Sequence, residues 1–373
     1  MKPITPQAEI IEETQTLWAS GRQPMGCPNC QRVFLVPTVS VHKPCPICRQ
    51  GTLQSQPVRM RAAEPEKILP FQVRKSHLES IYDDFLDDVW FKPDDFNLQY
   101  LIQRTQPIFW PQWLVDTNIS GNWQMEAGFD YQVESTKESY ANGQWFSRKQ
   151  IEDRVRWEPR LGEIDTRLEN IHVPALEEHE NRSLLTGTYR HQKTQNFDPQ
   201  MLENAFLEVP DRPPSEAWQA ALTQVKKEAA KSCAQAAGAG HQQNFALRAN
   251  YQNQHWTQYL LPMYTTYYLD DEGHPQIIVV NGETGTIQGP RLASQKKGAQ
   301  IALILGAVAV GLFILAVIGF VFMAIFPPAG LVAAFLSLLG FGVGCGALFP
   351  AIWPVQWNRK QTSPRIRMRK QPS

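Results

Sequence analysis

Four cysteines carry the clearest chemistry in the chain. Cys27-Pro28-Asn29-Cys30 and Cys45-Pro46-Ile47-Cys48 are two C-x2-C turns with fourteen residues between them, a spacing at which two knuckles close on one metal ion. Zinc takes four thiolates in a tetrahedron, and each knuckle supplies two sulfurs from one tight turn. Four sulfurs fill the shell and leave no position for water or substrate. A structural Zn2+ held by Cys27, Cys30, Cys45 and Cys48 is therefore expected, not a catalytic one. A redox dithiol needs only one C-x-x-C, and the second knuckle argues against it. His42, three residues before Cys45, reads as a solvated loop residue, because the shell is already full. Gly26 and Gly51 beside the knuckles are read as sources of backbone freedom.

Other reactive side chains form weaker patterns. Asp83, Asp84, Asp87 and Asp88 fall on a helical pattern with Asp94 and Asp95 beyond it, and carboxylates four apart share a face that suits a hard cation. With no histidine or glycine-rich loop beside them, a solvated acidic face is the simpler account. Glu177, Glu178, His179 and Glu180 form a second polar cluster, read as a surface loop. The chain has no G-x-x-x-x-G-K-[ST], G-x-S-x-G or H-E-x-x-H, and its eight histidines lack ligand spacing. An enzyme is the less favoured class, with no catalytic residue singled out. Arg22, Arg32, Lys43, Arg49, Arg59 and Arg61 meet no acid between Gly21 and Ala63, which keeps nucleic-acid or acidic-protein contact through the ribbon as an alternative.

The elements that must carry these residues divide the chain by hydropathy. Residues 301–326 contain no charge and are long enough to cross a bilayer core of about 30 Å. Pro327 and Pro328 interrupt, and a second apolar run follows over 329–349. Arg291, Lys296 and Lys297 precede the pair, and Arg359, Lys360, Arg365, Arg367, Arg369 and Lys370 follow it. By the positive-inside bias, both termini of this hairpin face the cytoplasm of an inner (plasma) membrane. Trp353 and Trp357 suit an interfacial belt. Gly340, Gly342, Gly344 and Gly346, with Ala302/Gly306 and Ala307/Gly311, suit close helix packing, a homo-oligomer contact or docking on another membrane protein. No ionisable residue lies inside either span, which disfavours a transporter. Lys plus Arg (36) equal Asp plus Glu (36), but the tail takes six bases, so residues 1–358 carry a net charge of minus six. The start Met1-Lys2-Pro3-Ile4 has no apolar leader core, and a reducing compartment suits thiolates kept for metal.

Between ribbon and membrane the pattern is α+β. Ser76 with Glu79 reads as a capping box opening a helix with Leu78, Ile81, Tyr82, Phe85 and Val89 on one face, ending near Trp90. Aromatic-rich runs at 107–119, 123–135 and 145–157 read as strands of an antiparallel sheet, with Asn142-Gly143 as a hairpin turn. Pro213-Pro214-Ser215 opens a helix with Trp218, Leu222, Val225, Ala229 and Cys233 at helical spacing, the thiol being core. Residues 256–268 and 276–280 read as further strands. Ile108 to Trp113 echoes Leu260 to Tyr264, each a proline-marked strand with aromatics.

The order of CPNC and CPIC, then Ile68-Leu69-Pro70-Phe71, Trp90-Phe91-Lys92-Pro93, Pro111-Gln112-Trp113, Tyr259-Leu260-Leu261-Pro262-Met263-Tyr264 and Val280-Asn281-Gly282-Glu283-Thr284-Gly285, ending at Lys296, resembles uncharacterised bacterial zinc-ribbon membrane proteins. Some of these are labelled primosomal helicase-like on the ribbon alone, a label for which this chain lacks the P-loop. The resemblance implies a structural zinc and membrane location, and brings no activity or catalytic residues. The expected order is a short helix in 1–20, the ribbon in 21–53, a linker in 54–67, an α+β domain in 68–298, a transmembrane hairpin in 299–358 and a basic tail in 359–373. The expected role is a membrane-anchored cytoplasmic zinc-ribbon scaffold or adaptor, with the lipid bilayer and a protein as partners.

Overall fold

The computed structural model describes residues 21–38, 43–55 and 64–361. The helix expected in 1–20, His42, most of the 54–67 linker and the tail beyond Gln361 lie outside the described residues. The described chain is α+β, with eleven strands in one sheet, six α-helices and a four-cysteine cluster near its start.

Two very long strands dominate. β5 (Gln106–Ala141) and β6 (Gln144–Pro174), of 36 and 31 residues, form one hairpin closed by Asn142-Gly143. Both turn residues have positive φ, 52° and 80°, as in the type I′ turn that Asn-Gly favours because its twist matches that of the strands. β9 (His241–Leu269) pairs antiparallel with the other edge of β5 from Gln106 to Gly128. β10 (Pro275–Asn281) and β11 (Ile287–Gln288) extend the sheet beyond β9. On the far side of β5 follow β8 (Phe206–Glu208), β2 (Val33–Pro37), β1 (Arg22–Gly26) and β3 (Gln54–Ser55). β4 (Lys67–Ile68) lies between β9 and β7 (Gln195–Asn196). The echo noted between Ile108–Trp113 and Leu260–Tyr264 corresponds to direct pairing, with Phe109 opposite Pro262 and Pro111 opposite Leu260.

The sheet departs from the sequence expectation in two ways. It is mixed, because β5 runs parallel to β8 and β4 parallel to β9. These partners are joined by long crossovers, which do not force the reversal that a hairpin does. The runs at 107–119 and 123–135 are also one strand, and that at 145–157 is the first part of another. The break was expected at Ser120-Gly121-Asn122. Instead Gly121 makes room for the neighbouring strand, since a Cβ there would lie 2.1 Å from the Arg248 carbonyl oxygen. Gly162 lies under the indole of its cross-strand partner Trp123, where a Cβ would be 2.9 Å from the ring. Glycine at both places permits close approach and turns nothing.

The ribbon is continuous with the larger body. Phe34 and Leu35 pair with Glu208 and Leu207, and Met25, Phe34 and Val36 share one core with Ile108, Trp110, Phe206 and Leu261. α1 (Lys75–Asp87) starts from Arg74 with no side-chain cap, so Ser76 lies inside the first turn and the expected capping box does not form. Its Leu78, Tyr82, Phe85 and Leu86 pack on Tyr264, Tyr268, Ile278 and Val280, followed by α2 (Leu98–Gln103). α3 (His179–Thr186) follows β6. α4 (Pro214–Ala236) lays Ala217, Ala221, Val225, Ala229 and Cys233 along one face of the long hairpin at Val115, Ile119, Met125 and Ala127. The small side chains let helix and strands approach closely.

Beyond Gly128, β9 has ended and β5–β6 continue as a two-stranded arm. Tyr140, Trp145 and Phe146 stand at its tip, 62%, 70% and 51% exposed.

The last two helices, α5 (Gln295–Phe322) and α6 (Ala329–Lys360), are long and apolar enough to cross a membrane. At about 1.5 Å per residue they measure about 42 and 48 Å. The second apolar segment was expected to end at 349, but α6 continues through Pro350 and Pro354. Pro354 has no N–H to offer the Pro350 carbonyl four residues back. That carbonyl meets α5 at Gly298, where a Cβ would be only 2.3 Å from the oxygen. Gly340 likewise faces the Ala309 carbonyl and Leu312, whereas Gly306, Gly311, Gly342 and Gly346 face open space. The base of the pair is fixed to the sheet-bearing body: Trp357 Nε1 donates to the Arg291 carbonyl, and the Asn358 amide bonds both the N–H and the carbonyl of Ala293 at 2.8 and 2.9 Å.

Candidate metal centre

Each knuckle is a tight turn closed by its own backbone. Gln31 N–H donates to the Cys27 carbonyl at 2.9 Å, and Arg49 N–H to the Cys45 carbonyl at 3.1 Å. Gln31 and Arg49 hold left-handed φ of 55° and 58°, so the unusual conformation falls on the residue after each second cysteine rather than on Gly26 or Gly51. Gly51 is needed for space, since a Cβ there would meet Cys27 Sγ at 3.0 Å. The first cysteine of each turn is tied back by its own amide, Cys27 N–H to the Arg32 carbonyl at 2.9 Å and Cys45 N–H to the Gly51 carbonyl at 2.8 Å.

These turns bring Cys27, Cys30, Cys45 and Cys48 together, all four buried. Cys27 and Cys48 sulfurs are 3.5 Å apart, Cys30 and Cys45 sulfurs 3.7 Å, and all four lie within 4.8 Å of one another. A metal–sulfur bond of about 2.3 Å gives a tetrahedron with edges of about 3.8 Å. The cage has those dimensions, so these four cysteines could hold a metal ion. Hydrogen bonding among the thiols lowers Cys27 to about 7 and lowers Cys48 further. Contact with Cys27 raises Cys30, and burial raises Cys45.

Sequence patterns missed what lies behind the cage. Arg32, 7% exposed, forms ion pairs with Glu178 and, at 3.6 Å, with Glu208. Arg182 reaches the same Glu208 oxygen at 3.2 Å. Burial opposes the Arg32 charge, but Glu208 and Glu178 outweigh it and raise its pKa. The pairing joins the first knuckle to β8 and to the start of α3. Its one sequence signal was Glu208, a lone charge in the apolar run Phe206-Leu207-Glu208-Val209. Glu178 therefore belongs to an internal network, not a free loop, and neighbouring His179 packs at a tilt against Trp110 with centroids 5.4 Å apart.

Two of the ribbon's other bases, Arg22 and Arg49, are also engaged. Arg22 donates to the carbonyls of Ala205 and Glu203 at 2.6 and 2.8 Å, and burial lowers it to about 10. Arg49 lies over the Tyr267 ring at 5.0 Å, and burial lowers it to about 10. Lys43 is exposed, while Arg59 and Arg61 lie outside the described residues.

The remaining candidates do not assemble. Asp83, Asp84, Asp87 and Asp88 are exposed along α1, Asp94 pairs with Lys297 at 2.6 Å and Asp95 with Arg104. Histidines distant in sequence do meet: His172 and His191 rings are 4.7 Å apart, and His191 Nδ1 is 2.9 Å from the Tyr259 hydroxyl. Lost hydration holds His172 down to about 4 and lowers His191. Among the described residues, however, only the four cysteines form a group with metal-ligand geometry. Comparison of the chain with family models, curated proteins and solved structures finds no match.

Proposed function

We propose that this chain is a membrane-anchored adaptor that binds a protein partner through its β-arm, with a structural zinc ion in the cysteine cage. The exposed arm tip carries the reading. Tyr140, Trp145 and Phe146 stand exposed on a two-stranded ribbon, and such ribbons are marginally stable alone in water. Exposed aromatics of this kind are the side chains that anchor protein interfaces.

Zinc is the ion that best suits a closed four-sulfur tetrahedron in a reducing compartment, and such a site stabilises the fold without entering chemistry. α5 and α6 act as a transmembrane hairpin with both ends in the cytoplasm of the inner membrane. Lys296, Lys297, Arg359 and Lys360 at the base, against an uncharged turn over 323–328, support that orientation. Nucleic-acid binding is the weaker alternative, because Arg22, Arg32 and Arg49 are spent on contacts within the protein.

The test is a crosslinked pull-down from native membranes in detergent, comparing wild type with Tyr140→Ser/Trp145→Ser/Phe146→Ser. A reproducible protein recovered by the wild type and reduced at least tenfold in the variant supports the adaptor reading. Equal recovery by both chains refutes a role for the arm tip.

A further inference from the structure

Between α1 and α2, the chain passes the base of the apolar hairpin with two aromatic side chains in sequence. Trp90 is 59% exposed, yet its indole sits edge-on to Phe349 of α6 with centroids 5.3 Å apart, and 6.3 Å from Trp353. Phe91 packs on the same two rings at 6.2 and 6.0 Å. Phe91 holds a left-handed φ of 53°, which non-glycine residues adopt only when their surroundings fix them. Here its carbonyl accepts from Ser294 N–H at 2.7 Å, and the Ser294 side chain caps α5. The Trp90 turn is thereby locked to the start of α5 and to the flank of α6.

Its depth follows from the helix contacts. Gly298 lies against Pro350 and Pro354, so Phe349 and Trp353 stand level with the first turn of α5. Trp90, which touches both, is level with Lys297 or deeper. Lys297 is the last charge before the uncharged stretch 298–358. Beside Trp90, Leu348, Phe349 and Ile352 are 58%, 44% and 47% exposed and form one apolar surface with it. At the same end of the helices Lys297 pairs with the exposed Asp94 and Lys296 with the Asp271 carbonyl, while Arg359 and Lys360 close α6. An exposed indole on an apolar surface, level with the last charges before two long apolar helices, matches the interfacial zone of a bilayer.

We infer that the Trp90–Phe91 turn is a third membrane contact, with the Trp90 indole in the lipid interface. The inference rests on the reading of α5 and α6 as membrane spans. It assigns the soluble body a fixed seat on the bilayer through a segment outside the hairpin.

The test uses the full metal-loaded chain, labelled with 5-fluorotryptophan at its eleven tryptophans, in nanodiscs containing phosphatidylglycerol. Substitutions Trp90→Phe, Trp353→Phe and Trp145→Phe assign three fluorine resonances. A lipid spin-labelled near the top of its acyl chain should remove more than half the intensity of Trp90 and Trp353 and leave Trp145 unchanged. A water-soluble gadolinium chelate should do the reverse. Trp90 broadened by gadolinium, with Trp353 still broadened by the lipid label, overturns the third contact alone. Trp353 untouched by the lipid label overturns the membrane reading of the hairpin and the third contact with it.

Discussion

Replacing Arg32 with methionine separates a structural role for the ribbon's charge from a recognition role. The substitution removes the guanidinium that serves Glu178 and Glu208 while keeping an unbranched apolar stem. Glu208, 1% exposed, keeps only Arg182. Breaking a buried ion pair from one side costs about 3–5 kcal/mol, because the abandoned charge stays out of water. At roughly 2–4 °C per kcal/mol for a body of this size, the melting temperature should fall by about 6–20 °C. Thermal unfolding of the full chain in nanodiscs, followed by near-ultraviolet circular dichroism, reads this directly. Arg156→Met is the control, since its pair with Glu158 is exposed (67% and 32%) and such pairs contribute under about 1 kcal/mol. If Arg32→Met melts within 2 °C of wild type, the buried network is not structural. If it also loses salt-sensitive binding to nucleic acid, the alternative function gains.

Three further outcomes follow from the geometry. Gly51→Ala drives a Cβ to within 3.0 Å of Cys27 Sγ, and should weaken metal retention in a chelator competition by at least tenfold, with about 1–3 kcal/mol of stability lost; unchanged retention would show that the knuckle yields. His179 is held down to about 4, by burial first and by Arg212 and Arg182 next, whereas a free histidine titrates near 6.5. The unfolded chain then binds a proton that the folded one refuses, so this contribution is complete above about pH 6.5 and declines as pH falls toward 4, by about 3 kcal/mol. His179→Phe, which preserves the ring contact with Trp110, should flatten urea-unfolding stability between pH 7 and 5, and an unaltered slope contradicts it. Gly298→Ala should lower the melting temperature by several degrees through its clash with the Pro350 carbonyl, while Gly342→Ala, with nothing within 4 Å, should change it by less than 1 °C; equal effects would refute the hairpin packing.

What the sequence revealed depended on how local the signal was. The cysteine cage was legible because both knuckles are short and the metal's geometry dictates their spacing. The apolar helices were legible from composition, and Asn142-Gly143 from the φ values that only such residues favour. Strand length was not, because Gly121 and Gly162 look like punctuation until the strands and indole pressing on them are seen. Parallel pairing was hidden by long crossovers. The network of Arg32, Glu178, Arg182 and Glu208 spans separations of up to 176 residues, and no periodicity links residues so far apart. The continuation of α6 past Pro350 and Pro354 was hidden for a similar reason, since the group that accommodates the freed carbonyl lies on another helix at Gly298.

The way α6 ends has a mechanical consequence. Tyr268, near the end of β9, donates its hydroxyl proton to the Pro290 carbonyl at 3.0 Å, and β5 starts beside that end, with Gln106 opposite Thr265. The long strand therefore starts at the helix base and runs away from it. At about 3.2 Å per residue its 36 residues span about 115 Å. Asn358 and Trp357 clamp the helix pair to the body from which that strand starts. Membrane helices tilt by about 0–40°, and a change of only about 5° would sweep the arm tip through about 10 Å. In the transmembrane reading proposed above, a change of bilayer thickness that alters the helix tilt would be felt as a displacement at Trp145.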